Sequence, residues 1–359
     1  KHNKIKNESF LDYLCYITLF CNVLMGPITR FNEVTKNIRN LDISFEIGAK
    51  GFYRFLTGLF QKVLLANNLS ILYNTFNSIT NKTFLSCLFV LIIYALYLYF
   101  DFLGYTNMAL GLGKMCCISL EENFDNPYLA NSISSFWRKW HISLSNFFKE
   151  YVYFPLGGSK KNKLITIRNL MVVWLLTGIW HGNTINFLLW GLYYGIIIVL
   201  EKFVLNNFLE KLPKIFKHLY VIIIVLFGYI LFTQNSLNDI SLFISNMFKG
   251  NLYNNEVIFY LRDNLFLIIL SLLMILKLPE SIKNKISKKD MFCEIEILIN
   301  QKKINTKAMI DTGNMLKEPI TNVPVIVVEH ILLYSCMPKE ILNNLKEIMG
   351  GDFKNIPCD

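Results

Sequence analysis

Two histidines could do chemistry, and one of them lies where an ionisable side chain is costly. His181 lies near the middle of residues 169–200, a stretch without Asp, Glu, Lys or Arg. His141 lies in a segment where aromatic residues are interleaved with charged ones. An ionisable group at membrane depth usually marks a transport pathway or a functional site. Burial disfavours the charged imidazolium, so such a ring stays neutral and can act as a general base near neutral pH.

Three roles fit a buried histidine of this kind. As a general base, His181 would take a proton from an alcohol while the alcohol oxygen attacks an activated acyl carbonyl. As a relay, the same ring would serve a proton-coupled transporter. As a packing residue, it would lie among Trp174, Trp180 and Trp190 without doing chemistry. Spacing alone leaves these alternatives open.

The composition predicts a polytopic membrane protein. Of 359 residues, 53% are hydrophobic and 17% charged, and the mean hydropathy is +0.38. The net charge of +10 comes from lysines gathered between apolar runs, which indicates cytoplasmic loops and argues against nucleic-acid binding. The eight cysteines show no metal-ligand spacing, so we expect reduced packing thiols and no metal site.

The stretch around His181 predicts a helical hairpin. Two short apolar arms would meet at His181, with Gly178 and Gly182 allowing the turn. Arg168 and Glu201 close the two ends, so both ends would face the same water.

Other segments would build the rest of the membrane domain. Residues 10–28 predict an apolar helix, and residues 47–72 an interfacial or cavity-lining helix. Residues 84–100 predict a span, and Asp101 marks where that span meets water or a polar cavity. Residues 136–156 predict an amphipathic helix that lies in the interface. The alternative is that His141 dips from this segment toward the same cavity as His181. Further spans are expected at residues 219–238 and 265–276.

The composition changes near residue 288, which predicts a domain of residues 1–287 followed by a domain of residues 288–359. Lysines between residues 277 and 289 predict that the second domain is cytoplasmic. Ile295, Ile297 and Ile299 alternate with other residues, as in a strand. A second strand leading to Asp311 would complete a hairpin.

Several long motifs resemble the membrane-bound O-acyltransferase family, and most closely its branch of alginate O-acetylation proteins. They are residues 136–145 (FWRKWHISLS), 153–158 (YFPLGG), 168–170 (RNL) and 177–182 (TGIWHG), with shorter matches at residues 26–28, 99–105 and 123–130. The resemblance covers about residues 8–285. It implies a mainly α, polytopic fold with a tunnel. Family members have further helices ahead of residue 1 of this chain, so part of the tunnel wall is expected to precede it.

The resemblance also implies a reaction. His181 matches the family's essential histidine and would be the general base, and His141 matches its second tunnel histidine. The reaction would move an acyl group from a thioester, either acyl-CoA or an acyl carrier, to hydroxyls of a cell-surface or extracellular polysaccharide, without a bound cofactor. A companion acyl carrier or extracytoplasmic transferase is implied as partner. The residues expected to shape the tunnel are Arg138, Trp140, Asn169 and Trp180.

A neighbouring branch of the family offers an alternative acceptor. It transfers D-alanine to teichoic acids. The segment Pro155-Leu156-Gly157-Gly158 favours the polysaccharide branch.

The C-terminal part resembles a different family. Residues 308–314, 318–321 and 324–329 are similar to the aspartic peptidase domain of the sporulation sigma-E factor-processing peptidase. The resemblance implies a small β-rich segment, half of a retropepsin-like fold, with Asp311 as a catalytic carboxylate. Such chemistry needs two carboxylates that share a proton, so the one Asp-Thr-Gly predicts a dimer. An ordinary turn at Asp311 is the alternative. The change of resemblance indicates a gene fusion or a join of two reading frames, and both stay open.

Overall fold

The structure, a computed structural model, is mainly helical. It describes residues 9–20, 25–39, 44–79, 82–160, 162–249, 251–253, 255–285, 292–299 and 302–309. The described residues up to Leu276 belong to one compact unit, and those from Lys277 onward belong to a second.

The first half of the helical unit is built around two long helices. The bounds are α1 Phe10–Thr18, α2 Phe31–Arg39, α3 Phe45–Phe60, a π-helical turn Gln61–Ala66, α4 Asn67–Asn77 and α5 Phe84–Met115. Because α3, the π-helical turn and α4 follow one another without a break, they form one rod over residues 45–77.

Short helices follow and lead into the hairpin that carries His181. The bounds are α6 Ile133–Lys139, α7 Ile142–Phe148, a π-helical turn Lys149–Tyr153, α8 Lys163–His181, α9 Ile185–Leu200, a π-helical turn Glu201–Leu205, α10 Asn206–Lys211, α11 Lys214–Thr233, α12 Leu237–Lys249 and α13 Asn255–Lys285. A short 3₁₀ turn, Pro127–Leu129, precedes α6.

Six helices among the described residues are long and apolar enough to cross a membrane. They span residues 45–77, 84–115, 163–181, 185–211, 214–233 and 255–276. At 1.5 Å of rise per residue, the shortest of them is about 28 Å long, close to the hydrocarbon thickness of a bilayer. The chain is therefore a multi-pass membrane protein, as the composition predicts.

The rod of residues 45–77 packs against α5 through glycines. A Cβ at Gly58 would lie 2.5 Å from the carbonyl oxygen of Gly104, and a Cβ at Gly111 would lie 2.5 Å from the backbone nitrogen of Phe55. The two backbones touch because these positions carry no side chain, which is a common way for membrane helices to approach.

Asp101 does not end its helix, contrary to the prediction. It lies inside α5, where its carboxylate pairs with the ammonium group of Lys62. The pairing explains how the charge is tolerated there, because opposite charges within a membrane protein offset part of the cost of burial.

Other predicted boundaries are also corrected. Helix α1 ends at Thr18, well before residue 28. The predicted interfacial helix over residues 136–156 is broken at Trp140 and His141 into α6 and α7. The arms of the hairpin extend into the charged loops, so both reach spanning length. The last span is longer than predicted, and α12 has no counterpart among the predicted helices.

The second unit contains an antiparallel pair of strands among its described residues. Strands β1 Phe292–Ile299 and β2 Lys302–Met309 pair with Phe292 opposite Met309 and Ile299 opposite Lys302. Residues from 310 onward, including Asp311, lie outside the described residues. The resemblance of this unit to half of a peptidase fold therefore stays a prediction.

Candidate functional site

His181 is the last residue of α8 and lies at the turn of the α8–α9 hairpin. The two arms approach closely because glycines face backbone on the partner helix. A Cβ at Gly178 would collide with the carbonyl oxygen of Phe187, and one at Gly191 with that of Trp174. The hairpin thus needs both glycines to bring α9 against the helix that carries His181.

Aromatic rings surround the imidazole of His181. Centroids lie at 4.9 Å for Trp180, 4.9 Å for Trp190 and 5.3 Å for Phe232. Phe232 is brought in by α11, whose end is tied to the start of α9 by a hydrogen bond from the Asn186 amide to the carbonyl of Gln234. Two of the three tryptophans named for a purely structural role, Trp180 and Trp190, therefore pack against His181.

His141 lies at the break between α6 and α7. Its backbone adopts the left-handed conformation with φ of +49°, which a non-glycine residue seldom does. The side chain is buried, with 8% of its surface exposed. The rings of Phe102 and Trp180 have their centroids 4.7 Å and 6.0 Å from that of the imidazole.

Burial sets the protonation state of His141. Desolvation, with a smaller contribution from the nearby His181, lowers its pKa to about 3. The ring is therefore neutral at physiological pH and can accept a proton.

One cavity of about 380 Å³ is bordered by both histidines. Leu170, Val173, Thr177 and His181 line it at the spacing of one face of α8, which extends about 16 Å along the helix axis. Trp174 of α8 also lines the cavity. The other lining residues come from α6, α7, α9 and the connecting turns: Ser134, Trp137, Arg138, Trp140, His141, Leu144, Ser145, Phe148, Lys149, Tyr153, Ser159, Ile198 and Lys202.

The charges on the cavity wall are positive. Arg138, Lys149 and Lys202 are the ionic side chains among its lining residues, and that lining contains no carboxylate. Such a wall favours an anionic or phosphate-bearing ligand over a cationic one. Among the residues that the structure describes, no three His, Cys, Asp or Glu side chains cluster as metal ligands would.

A buried carboxylate fixes the helix that leads to His141. Glu201, at the end of α9, accepts the backbone N–H of Ile133 at 2.6 Å and that of Ser134 at 2.8 Å. It also accepts the hydroxyl of Ser134 at 2.7 Å. These N–H groups belong to the first turn of α6 and have no partner within the helix. Glu201 thereby ties α6 to the hairpin.

The structure brings together only part of the predicted tunnel set. Arg138 and Trp140 line the cavity with the two histidines. Trp180 packs against both histidine rings, yet it is not among the lining residues and is 53% exposed. Asp311 lies outside the described residues.

Asn169 braces a loop and is not among the residues that line the cavity. Its amide donates to the carbonyls of Leu156 and Gly158, both at 3.1 Å, and its oxygen accepts from Arg168 at 2.8 Å. The side chain is completely buried. Asn169 therefore holds the turn of residues 155–158 against α8.

Several lining residues were not predicted from the sequence. Val173 and Thr177 could have been found from their helical spacing relative to His181. Lys149 and Lys202 carry no comparable signal, because their place on the wall depends on how separate helices pack.

The comparisons with known proteins agree with this architecture. The family model described as "MBOAT, membrane-bound O-acyltransferase family" matches residues 1–243. The model described as "Sporulation factor SpoIIGA" matches residues 166–356. The chain therefore belongs to the membrane-bound O-acyltransferase family over its first part and to the SpoIIGA family over its second, and the two matches overlap.

Curated relatives match the acyltransferase part. A probable alginate O-acetylase of Pseudomonas fluorescens is 32% identical, over 64% of this chain and 47% of the relative. A peptidoglycan O-acetyltransferase of Helicobacter pylori is 36% identical, over 64% of this chain and 45% of the relative. A teichoic acid D-alanyltransferase of Bacillus subtilis is 30% identical, over 60% of this chain and 56% of the relative. The chain spans about half the length of these relatives.

Proposed function

We propose that the protein is a membrane-bound O-acyltransferase with His181 as general base. The observation that carries the proposal is the cavity bordered by both His181 and His141 in a chain of this family. A packing role for His181 would require its aromatic neighbours but not a cavity. A transporter role would require no acyl donor.

The reaction is the transfer of an acyl group from a thioester to a hydroxyl. His181 takes the proton of the acceptor hydroxyl while the hydroxyl oxygen attacks the thioester carbonyl carbon. The carbon–sulfur bond then breaks, and the thiolate leaves and takes up the proton. General base catalysis of this kind contributes about 10²- to 10⁴-fold in rate.

The cavity wall and the relatives support a proposed donor and acceptor. Arg138, Lys149 and Lys202 line the cavity, and their charges suit the phosphate groups of acyl-CoA or of an acyl-carrier arm. The relatives are named for O-acetylation of alginate and of peptidoglycan, so we propose acetyl transfer to a cell-surface polysaccharide. D-Alanyl transfer to teichoic acid is the alternative that the Bacillus subtilis relative supports.

The test is acyl transfer by the full chain in lipid vesicles. Labelled acetyl-CoA, an acetylated carrier and a D-alanyl carrier are each offered with alginate, peptidoglycan fragments or teichoic acid. We expect labelled ester with one donor and acceptor pair, and a loss of at least about 100-fold in His181→Ala and His181→Gln.

His218→Gln is the matched control, because His218 is also partly buried but does not line the cavity. Its activity should equal that of the unsubstituted chain. Undiminished transfer by His181→Ala would refute the role of His181. Flux of protons or solute through the vesicles without any ester would favour a transporter.

We propose a second function for the C-terminal part, an aspartic endopeptidase of the sporulation sigma-factor-processing type. The SpoIIGA match supports it, together with the β1–β2 pair that leads toward Asp311. Because one Asp-Thr-Gly supplies one carboxylate, a dimer would bring two together to activate water. The domain of residues 288–359 would be cytoplasmic, as its preceding lysines favour.

Asp311→Asn tests the peptidase independently of acyl transfer. We expect cleavage of a sigma-factor precursor to be lost, while ester formation stays unchanged. Mixing this variant with the unsubstituted chain should lower cleavage by more than the fraction of variant chain added, since mixed dimers lack one carboxylate. Cleavage that survives in Asp311→Asn excludes the proposal.

A further inference from the structure

The side-chain amide of Asn123 is completely buried and its orientation is set by a backbone donor. Its Oδ1 accepts the backbone N–H of Ser143 at 3.1 Å. A backbone N–H donates and does not accept, so the atom facing it must be the carbonyl oxygen. The amide therefore cannot be turned over without placing two donors against each other.

A second hydrogen bond supports the same orientation. The hydroxyl of Ser143 donates to Oδ1 of Asn123 at 2.7 Å. This hydroxyl already accepts the backbone N–H of Ile28 at 3.0 Å, so its own proton is available for Asn123.

The same oxygen faces the ring of His141. The Nδ1 atom of His141 lies 3.4 Å from Oδ1 of Asn123. Because Oδ1 accepts only, Nδ1 must carry the proton that lies between them. A neutral imidazole has one N–H, so Nε2 then holds the lone pair. The backbone N–H of Ser143 thereby determines which ring nitrogen of His141 carries the proton.

The backbone on both sides of His141 is tied to the same segment. The N–H of Ile142 donates to the carbonyl of Asn123 at 3.0 Å, and the N–H of Asp125 donates to the carbonyl of Lys139 at 3.0 Å. A single antiparallel bridge joins Phe124 to Trp140. Residues 123–125 thus hold the left-handed backbone of His141 between two fixed ends.

We propose that Asn123 is a positioning residue that holds His141 in the Nδ1–H tautomer and leaves Nε2 as the proton acceptor. The catalytic consequence rests on the proposed acyltransferase function, whereas the tautomer does not. Burial keeps the ring neutral, so the tautomer decides which nitrogen can act as a base. An acceptor behind a catalytic histidine is a general means of orienting the ring.

The rival explanation is that Asn123 only connects the segment 123–125 to α7. In that case its loss would loosen the structure without changing the tautomer. The two explanations are separated by nitrogen NMR, since protonated and unprotonated ring nitrogens give distinct ¹⁵N signals.

The experiment uses the full chain with ¹⁵N-labelled histidine in lipid bilayers at pH 7. The His141 signals are assigned by their loss in His141→Gln. The variants are Asn123→Ala, Asn123→Asp and Ser143→Ala. His218 is an internal standard, because its Nδ1 faces the carbonyl oxygen of Ala130 at 3.0 Å and none of the substitutions touches that contact.

We expect a protonated Nδ1 for His141 in the unsubstituted chain. Asn123→Ala removes the acceptor, so the ring should populate both tautomers. Asn123→Asp keeps the acceptor and the tautomer, and its carboxylate should raise the pKa of His141, because an opposite charge nearby favours the imidazolium. His181 and Arg138 border the same cavity, and a positive charge on either opposes protonation of His141. A rise in the pKa of His141 would therefore come from the new carboxylate. Ser143→Ala should leave the tautomer unchanged.

Three results would overturn the proposal. They are an unprotonated Nδ1 in the unsubstituted chain, an unchanged tautomer in Asn123→Ala, and a tautomer that changes equally in Ser143→Ala. Any of them would leave Asn123 with a connecting role only.

Acyl transfer gives a separate measurement. Asn123→Ala should lower kcat by about 10- to 100-fold, by analogy with the loss of a hydrogen-bond partner of a metal-binding histidine, with KM little changed. If the unsubstituted chain transfers no acyl group, the proposed function fails while the tautomer result still stands. If transfer occurs but the tautomer is wrong, only the inference about Asn123 fails.

Discussion

His141 and His181 border the same cavity, and the indole of Trp180 packs against both rings. A positive charge on His181 would therefore oppose protonation of His141, in addition to the effect of burial. Both effects keep the ring of His141 neutral beside the proposed general base.

The buried state of His141 predicts a loss of stability in acid. Its pKa falls from 6.5 to about 3 on folding, so the unfolded chain binds the proton more readily between these values. The contribution of His141 to stability is complete above about pH 6.5. It should decline by up to about 1.4 kcal/mol for each pH unit below that, until about pH 3. Thermal unfolding of the detergent-solubilised chain between pH 4.5 and 8 measures this decline in stability.

His141→Gln is the control for the acid effect. It removes the titrating ring, so its stability should change less with pH than that of the unsubstituted chain. Equal slopes for the two proteins would show that His141 is not buried in neutral form.

Filling the cavity should block the reaction without unfolding the protein. Val173 lines the cavity on α8, whereas the adjacent Val172 does not. Val173→Phe should lower acyl transfer at least about tenfold, since misplacement of a substrate by 1 Å can cost 10²-fold. Val172→Phe adds the same volume on another face and should retain activity. Equal activity in both variants would argue that the cavity holds no substrate.

Removal of the Glu201 carboxylate should destabilise the start of α6. Glu201→Ala leaves one buried and one partly buried N–H group without a partner, and hydrogen bonds to a charged group contribute about 1.5–3 kcal/mol each. Glu201→Gln keeps one acceptor oxygen, so its thermal stability should lie between that of the unsubstituted chain and that of Glu201→Ala. Glu210→Ala, an exposed site on the neighbouring α10, should change thermal stability by less than about 0.5 kcal/mol. Equal melting of the Glu201 and Glu210 variants would contradict the capping role.

The close approach of α3 and α5 predicts opposite effects for two glycines on the same helix. A Cβ at Gly58 would meet backbone atoms of Gly104 and Met108 at 2.5 and 2.6 Å, whereas one at Gly48 would meet nothing within 4 Å. Gly58→Ala should destabilise the protein by about 1–3 kcal/mol. Gly48→Ala should be neutral or stabilise it by up to about 1 kcal/mol, because alanine favours a helix. Thermal unfolding of both variants measures the two changes in stability. Equal losses of stability would exclude the close approach of the two helices.

Much of the helical unit could be predicted from the sequence. The uncharged residues 169–200 predict the hairpin and place His181 at its turn, because each arm must bury its backbone polar groups in a helix wherever lipid replaces water. The same reasoning failed at Asp101. A charge indicates the end of a span only when no partner is near, and Lys62 is a partner that sequence distance conceals.

The sequence by itself determined that the chain is a membrane protein with a histidine at the turn of an apolar hairpin. Hydropathy is a property of each segment, so it can be read locally. Only the tertiary structure decided that His141 shares the cavity of His181, that Asn169 braces a loop and that Asn123 fixes the ring of His141. These relationships join segments far apart in the chain, and they depend on which helix faces touch, which no local pattern specifies.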